Sequence, residues 1–227
     1  MPTLDVPLPP PPSSAFDAYG MVTLPVLHPS VAELARSEFP PPEGGGWHTF
    51  TRPLEFGKQE GSATIAGPCV AEIHRWLASE PLVVWLEALS GIGGLRADPE
   101  RVGSGIHQNG PGSRLGLHTD FNVHPQDRNL IRAVNVIVFL DDGPLDYEDG
   151  GWFEMQIPDQ DGYGGTRWRP RAGHMVVFPS DDRHYHGHPV PIREGGGLRR
   201  SIPAYYFRPR RHDEFVLGHS TRFLDEQ

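Results

Sequence analysis

The stretch AVNVIVFL, residues 133–140, decides the fold. It is a short run rich in Val, Ile and Phe, closed by Asp141, Asp142 and Gly143, and that texture between turn-forming residues reads as a β-strand. Residues 174–178 and 201–207 repeat it, and from about Val102 onward such runs are separated by Gly, Pro, Asp and Asn. The pattern is that of an antiparallel β structure.

Upstream the texture is helical. Ser30, with Glu33 three residues later, makes a capping box, and Val31, Leu34 and Ala35 continue at helical spacing until Pro40, Pro41 and Pro42 stop the helix. Two more helices are predicted over residues 68–79 and 81–90, with Val70, Ile73 and Leu77, then Val84, Leu86 and Leu89, on their apolar faces. Helices first and many short strands afterwards, with no βαβ alternation, point to an α+β fold. In it, supporting N-terminal helices pack on a double-sheet barrel or jelly roll. The run Gly44-Gly45-Gly46 is a loop, either a connector or a lid over a site.

The chain has 227 residues, enough for one compact domain with its own core. Residues 7–14 are nearly all Pro and Ser, so residues 1–14 are expected to be a flexible arm and residues 15–227 a single domain. The balance of 29 acidic against 20 basic residues, with no basic run, argues against a nucleic-acid partner. The single cysteine, Cys69, excludes an internal disulfide and reads as a small buried apolar residue. No apolar stretch approaches the roughly 20 residues that span a bilayer, and the N-terminus lacks signal-peptide character. A cytoplasmic protein without membrane contact is therefore expected. No motif specifies an oligomeric state.

His118-Thr119-Asp120 sets an imidazole and a carboxylate two residues apart, which on extended backbone puts both on one face, able to share a metal ion. The segment His184-Tyr185-His186-Gly187-His188 offers three candidates for a further ligand. Two histidines and one carboxylate on one side of an iron leave three positions open for cosubstrate and oxygen. The first pair alone carries little weight, because twelve histidines and fifteen aspartates give about one His-x-Asp by chance. The weight comes from the joint pattern, which closes with Arg199-Arg200-Ser201, thirteen residues after His186. On a strand Arg199 and Ser201 share a face, and a guanidinium is the natural bidentate partner of a carboxylate.

The run from His118 to Pro125, then Arg132 and Asn135 before Phe139-Leu140-Asp141, resembles the prolyl-hydroxylase-like branch of the iron(II)/2-oxoglutarate oxygenases. Gly150-Gly151, Pro170-Arg171-Ala172-Gly173, Tyr185-His186-Gly187-His188-Pro189 and Arg199-Arg200-Ser201 are similar to that family in content and order, from about Gly91 to Phe207. The resemblance implies a distorted double-stranded β-helix, related to cupin barrels. It also implies iron(II) as cofactor, 2-oxoglutarate and O2 as cosubstrates, and ascorbate as an expected stimulant. By it His118, Asp120 and His186 match the iron ligands, His186 being preferred over His184 and His188 because a glycine follows it. Arg199 with Ser201 matches the anchor of the cosubstrate's distal carboxylate. Where relatives often carry a tyrosine that touches the cosubstrate, this chain has Phe139, and Asn135, at an even offset on the same strand, is expected to compensate. Gln108 stands where some relatives have a tyrosine, and it and His107 are either pocket or core residues.

The implied activity is a dioxygenase that hydroxylates an unactivated C–H bond and yields succinate and CO2. Retention of Asp120 leaves no vacant carboxylate position for a halide and favours hydroxylation over halogenation. The substrate reading leans to an amino acid or related small metabolite, with a prolyl or other residue of a protein as the alternative. Arg114, Asn122, Arg128 and Arg132 are candidate contacts, Arg132 alternatively structural. The rival class is a non-oxygenase metal-binding cupin-type barrel, whose extra ligands would have to come from His212-Asp213-Glu214.

Overall fold

The computed structural model describes residue 4, residues 6–11 and residues 20–226. The chain runs β1 (Val22–Pro25), α1 (Pro29–Ser37), β2 (Trp47–Arg52), β3 (Glu55–Gly61), α2 (Pro68–Leu77), α3 (Glu80–Ser90), β4 (Arg96–Ala97) and β5 (Ile106–Thr119). It continues through β6 (Leu130–Phe139), β7 (Phe153–Asp159), β8 (Gly162–Trp168), β9 (His174–Pro179), β10 (Tyr185–His188), β11 (Arg199–Pro209) and β12 (Arg222–Phe223). Three helices precede the main run of strands, as expected. No helix among the described residues is long and apolar enough to cross a membrane.

The strands pair antiparallel in the order β1-β9-β6-β11-β5-β10-β7-β8, with β3 and β12 added on β5, β2 on β3 and β4 on β11. The sheet curls into a double-stranded β-helix. β5 is the strand that joins its two walls: residues 107–109 pair with β11, and residues 115–118 pair with β10.

Side chains alternate across the curled sheet, and both faces are covered, which explains the near-continuous hydrophobic run at residues 133–140. Val134, Val136 and Val138 of β6, Met175 and Val177 of β9, and Ile202 and Tyr206 of β11 join Val70, Ile73, Leu77, Leu82, Leu86 and Leu89 of the helices in one core. The Tyr206 hydroxyl donates to the Leu77 carbonyl and ties β11 to α2. Residues of opposite parity, Phe139, Val176 and Phe178, meet Phe153, Met155 and Met21 in a second, smaller core inside the barrel. Full burial of each such side chain contributes roughly 1.5–3 kcal/mol. Arg132 and Asn135 are the polar exceptions on β6, and their place is in the site described below.

Helix α1 begins two residues earlier than the capping box implies. Its cap is His28, whose Nδ1 accepts from the Ser30 amide at 3.3 Å, with Pro29 at the first helical position, where its lack of N–H costs nothing. Helix α3 ends on Gly91 in the left-handed region at φ 70°, a conformation glycine adopts without steric cost. Of the proline-rich arm, residues 6–11 carry no regular secondary structure, while residues 1–3, 5 and 12–14 lie outside the described residues. Leu4, Val6 and Leu8 pack against the helical core, and the Trp85 indole donates to the Pro9 carbonyl at 2.6 Å.

Candidate metal centre

His118 is the penultimate residue of β5 and Asp120 follows the strand end, while His186 sits on β10 directly opposite His118 in the antiparallel register. That register, set by the β5–β10 ladder, brings together residues 68 positions apart in sequence. One ligating atom from each of His118, Asp120 and His186 lies within 4.8 Å of the others. His186 Nε2 is 3.4 Å from Asp120 Oδ2, and His118 Nε2 is 3.7 Å from Asp120 Oδ1.

Backbone carbonyls fix both imidazoles. His118 Nδ1 is 2.9 Å from the Gly116 carbonyl, and His186 Nδ1 is 3.3 Å from the His184 carbonyl. A carbonyl only accepts, so each Nδ1 carries the hydrogen and each Nε2 presents its lone pair. Aromatic packing holds the rings: Phe178 lies 4.6 Å from the His186 ring centroid, and Phe223 of β12 lies 5.6 Å from that of His118.

The carboxylate is held as firmly. Asp120 Oδ2 accepts from Arg132 Nη2 at 2.9 Å and from Asn135 Nδ2 at 2.7 Å, while Asn135 Oδ1 accepts from Arg132 Nε at 2.8 Å. Arg132 is buried and sandwiched by Tyr205, 3.4 Å from its guanidinium carbon, and Phe121 at 4.7 Å. Burial by itself raises the Asp120 carboxyl, but Arg132, then His186 and His118, hold it well below the usual carboxylate range. Burial pushes His186 down to about 3 against the opposing pull of Asp120. Asp120 is thus held as the ionised carboxylate and His186 as the neutral imidazole, the forms in which such groups bind a divalent metal.

The cavity containing the triad is also lined by Asn135, Arg199 and Ser201 and by Lys58, His107, Asn109 and His188. Arg199 Nε donates to the Gly151 carbonyl at 2.9 Å, and its guanidinium carbon lies 4.8 Å from the Phe139 ring centroid. Burial lowers Arg199 to about 10, which leaves it fully cationic at neutral pH. Ser201, two residues on, is buried on the same face and opposes His107 and Phe139 in the ladders. Arg200 points the other way and grips Asp141, Nη2 to Oδ1 at 2.7 Å and Nε to Oδ2 at 2.8 Å.

Several expectations are corrected or sharpened here. Asn135 lines the cavity and also braces the carboxylate, giving Nδ2 to Asp120 and taking Arg132 Nε on Oδ1. Arg132 is structural, the cation beneath Asp120. Gln108 turns away from the cavity and donates to Gln59, whereas its neighbours His107 and Asn109 face inward. His184 is held outside the cluster by Asp181 at 2.7 Å. Asn122 serves the C-terminal segment, bonding the Leu217 carbonyl and the His219 amide, and Arg114 bonds the Pro53 carbonyl. Glu214 of the rival metal motif pairs with Arg208. Residues 43–46 do not line the cavity. Sequence reasoning missed Lys58 and Asn109, and it missed Phe223, for which no local signal existed. A roomier hollow of about 420 Å³ lies beyond Arg199, lined by residues such as Asp142, Asp149 and Arg193, but it carries no metal-binding cluster.

The sequence model of the 2OG-Fe(II) oxygenase superfamily matches residues 104–208, the span that contains the triad, Arg199 and Ser201. No curated protein matches the chain. Among solved structures, a Pseudomonas putida prolyl-4-hydroxylase is 20% identical with a TM-score of 0.56, the alignment covering 86% of this chain and 94% of that one. HygX from Streptomyces hygroscopicus, solved with nickel, 2-oxoglutarate and hygromycin B bound, is 16% identical with a TM-score of 0.55, covering 86% and 84%. A Trichoplax adhaerens prolyl hydroxylase in complex with a hypoxia inducible factor peptide is 16% identical with a TM-score of 0.54, covering 84% of both chains. At these identities the likeness establishes the shared fold.

Proposed function

We propose, from the match of residues 104–208 to the sequence model of the 2OG-Fe(II) oxygenase superfamily, that this chain is a dioxygenase holding iron(II) on His118, Asp120 and His186 and hydroxylating a small polar metabolite of the amino-acid type. The observation that carries the reading is the meeting of two imidazole nitrogens and one carboxylate oxygen within 4.8 Å, in a cavity that also presents Arg199. The donor set fits the metal: hard oxygen and borderline nitrogen from three side chains that line one cavity. Bound iron with 2-oxoglutarate and oxygen would supply the oxidation of a C–H bond, coupled to decarboxylation to succinate.

The protein's own residues do the rest by positioning. The Gly116 and His184 carbonyls keep both Nε2 atoms turned to one point, and Arg132 with Asn135 keeps the Asp120 carboxylate ionised and aimed at it. Arg199, cationic and backed by the Gly151 carbonyl and the Phe139 ring, seats the distal carboxylate of the cosubstrate, with the Ser201 hydroxyl beside it. Phe153 and Phe178, packed on the His186 ring, screen that side of the centre from water. Support for a small polar substrate comes from the wall itself, where Lys58, His107 and Asn109 offer polar groups within a narrow cavity.

The test is succinate formation by metal-free protein given iron(II), 2-oxoglutarate, ascorbate and oxygen, with panels of free amino acids and of proline-containing peptides. Succinate that rises with the amino acids and disappears in His186→Ala and Arg199→Ala is the expected result. Turnover stimulated by the peptides alone would transfer the substrate to a protein residue, and absence of any iron-dependent turnover would refute the oxygenase reading.

A further inference from the structure

Among the described residues, three polar atoms on buried side chains of this cavity, Asn109 Oδ1 and both ring nitrogens of His188, have no hydrogen-bond partner, and a fourth, His107 Nε2, has only the Glu60 carboxylate at 3.6 Å. Such atoms are rare in folded proteins because a buried donor or acceptor without a partner is destabilising, and their concentration in one cavity points to a ligand. His188 is the extreme case, 1% exposed with neither nitrogen engaged. It stands two residues beyond His186 on β10, so it faces the same interior, and it lines the cavity together with Arg199 and Ser201.

The chemistry of the missing partner follows from what surrounds it. Arg199 spends Nε on the Gly151 carbonyl and has its Nη groups left for a ligand, and Arg199 and Lys58 are the cations that act on the His188 ring. A carboxylate has about four lone-pair sites; an arginine fork fills two and the Ser201 hydroxyl a third. An imidazole always carries at least one N–H, which can fill the fourth. Phe139 brings a ring and no hydroxyl to this place, and the Asn135 amide is committed to Asp120 and Arg132.

We infer that His188 donates a hydrogen bond to the distal carboxylate of 2-oxoglutarate beside Arg199, and so helps select a dicarboxylate cosubstrate. This rests on the reading of Arg199 given above. His188 is then a ligand-binding residue with no part in holding the metal.

The experiment is calorimetric binding without oxygen to manganese(II)-loaded protein, using 2-oxoglutarate and 2-oxopentanoate, which has the same carbon chain without the distal carboxylate. His188→Leu is expected to weaken 2-oxoglutarate by about tenfold or more while leaving 2-oxopentanoate unchanged, the loss of one hydrogen bond to a charged group. His188→Gln, which keeps an N–H, recovers part of the difference. His188→Val carries the same test should the leucine variant not fold. An unchanged ratio of the two affinities in the apolar variants, with Arg199→Gln collapsing that ratio, would overturn the inference and leave the Arg199 reading standing. An unchanged ratio in Arg199→Gln as well would overturn both.

Discussion

Replacing Arg132 with leucine separates the two forces acting on Asp120. In the native protein the guanidinium lies 2.9 Å from Asp120 Oδ2, and both side chains are largely buried. Removing one partner of a buried pair costs about 3–5 kcal/mol, because the remaining charge keeps its desolvation penalty. At about 2–4 °C per kcal/mol for a domain of this size, the metal-free variant should melt roughly 6–20 °C lower near neutral pH. The pH dependence has a definite sign. The native carboxyl sits below its unfolded value, so its contribution is present above the unfolded pKa, about 3.9, and is lost as pH falls through the folded one. Without Arg132, burial, already the largest single influence, loses its main opponent and is expected to raise the carboxyl above its unfolded value. The folded variant then binds the proton more tightly than the unfolded chain, and gains relative stability as pH falls. The melting difference between the two proteins should therefore narrow from about pH 7 to about pH 4.5. Manganese(II) should widen it at neutral pH, because metal stabilises each protein according to its affinity and the variant has lost the cation that keeps Asp120 ionised and aimed. Scanning fluorimetry across pH, with and without metal, reads both effects. A difference that is flat with pH, or below about 2 °C throughout, would refute the assignment of Arg132 as the cation that keeps Asp120 ionised.

Asn135→Leu should lower metal affinity roughly 10–100-fold, as expected for loss of a group that orients a ligand, measured by competition with a chelating dye. Arg199→Leu and Arg200→Leu should behave oppositely although adjacent: the first abolishes 2-oxoglutarate binding, whereas the second breaks the Asp141 fork and lowers the melting temperature with binding retained. Phe223→Ala should destabilise by about 3–5 kcal/mol in denaturant unfolding, since its ring is buried against His118 on the short β12–β5 pairing.

The fold was legible where local composition and global burial agree. Val134, Val136 and Val138 face the helices while Ile137 and Phe139 face the barrel interior, so β6 reads as a strand from its own residues. The candidate triad is legible because His118 and Asp120 lie two residues apart and His186 lies in a histidine-rich strand. Spacing alone leaves His184, His186 and His188 open, and the ladder sets His186 opposite His118, with an Asp120 oxygen within 4.8 Å of both. The supporting residues were harder to read. Strand periodicity turns Asn135 toward the site, but its hydrogen bonds to Arg132 and Asp120 depend on contacts that periodicity does not encode. Lys58 and Asn109 reach the cavity through the pairing of β3 with β5, and Phe223 reaches the His118 ring through the two-residue strand β12. Long-range pairings of that kind leave no mark in the local sequence.

The account is tested most directly by titrating manganese(II) into metal-free protein and counting bound ions by electron paramagnetic resonance. It predicts one tight site per chain in the native protein and in His184→Ala, and loss of that site in His118→Ala, Asp120→Ala and His186→Ala. Retention of the site in the three triad variants, or its loss in His184→Ala alone, would contradict the assignment of the centre.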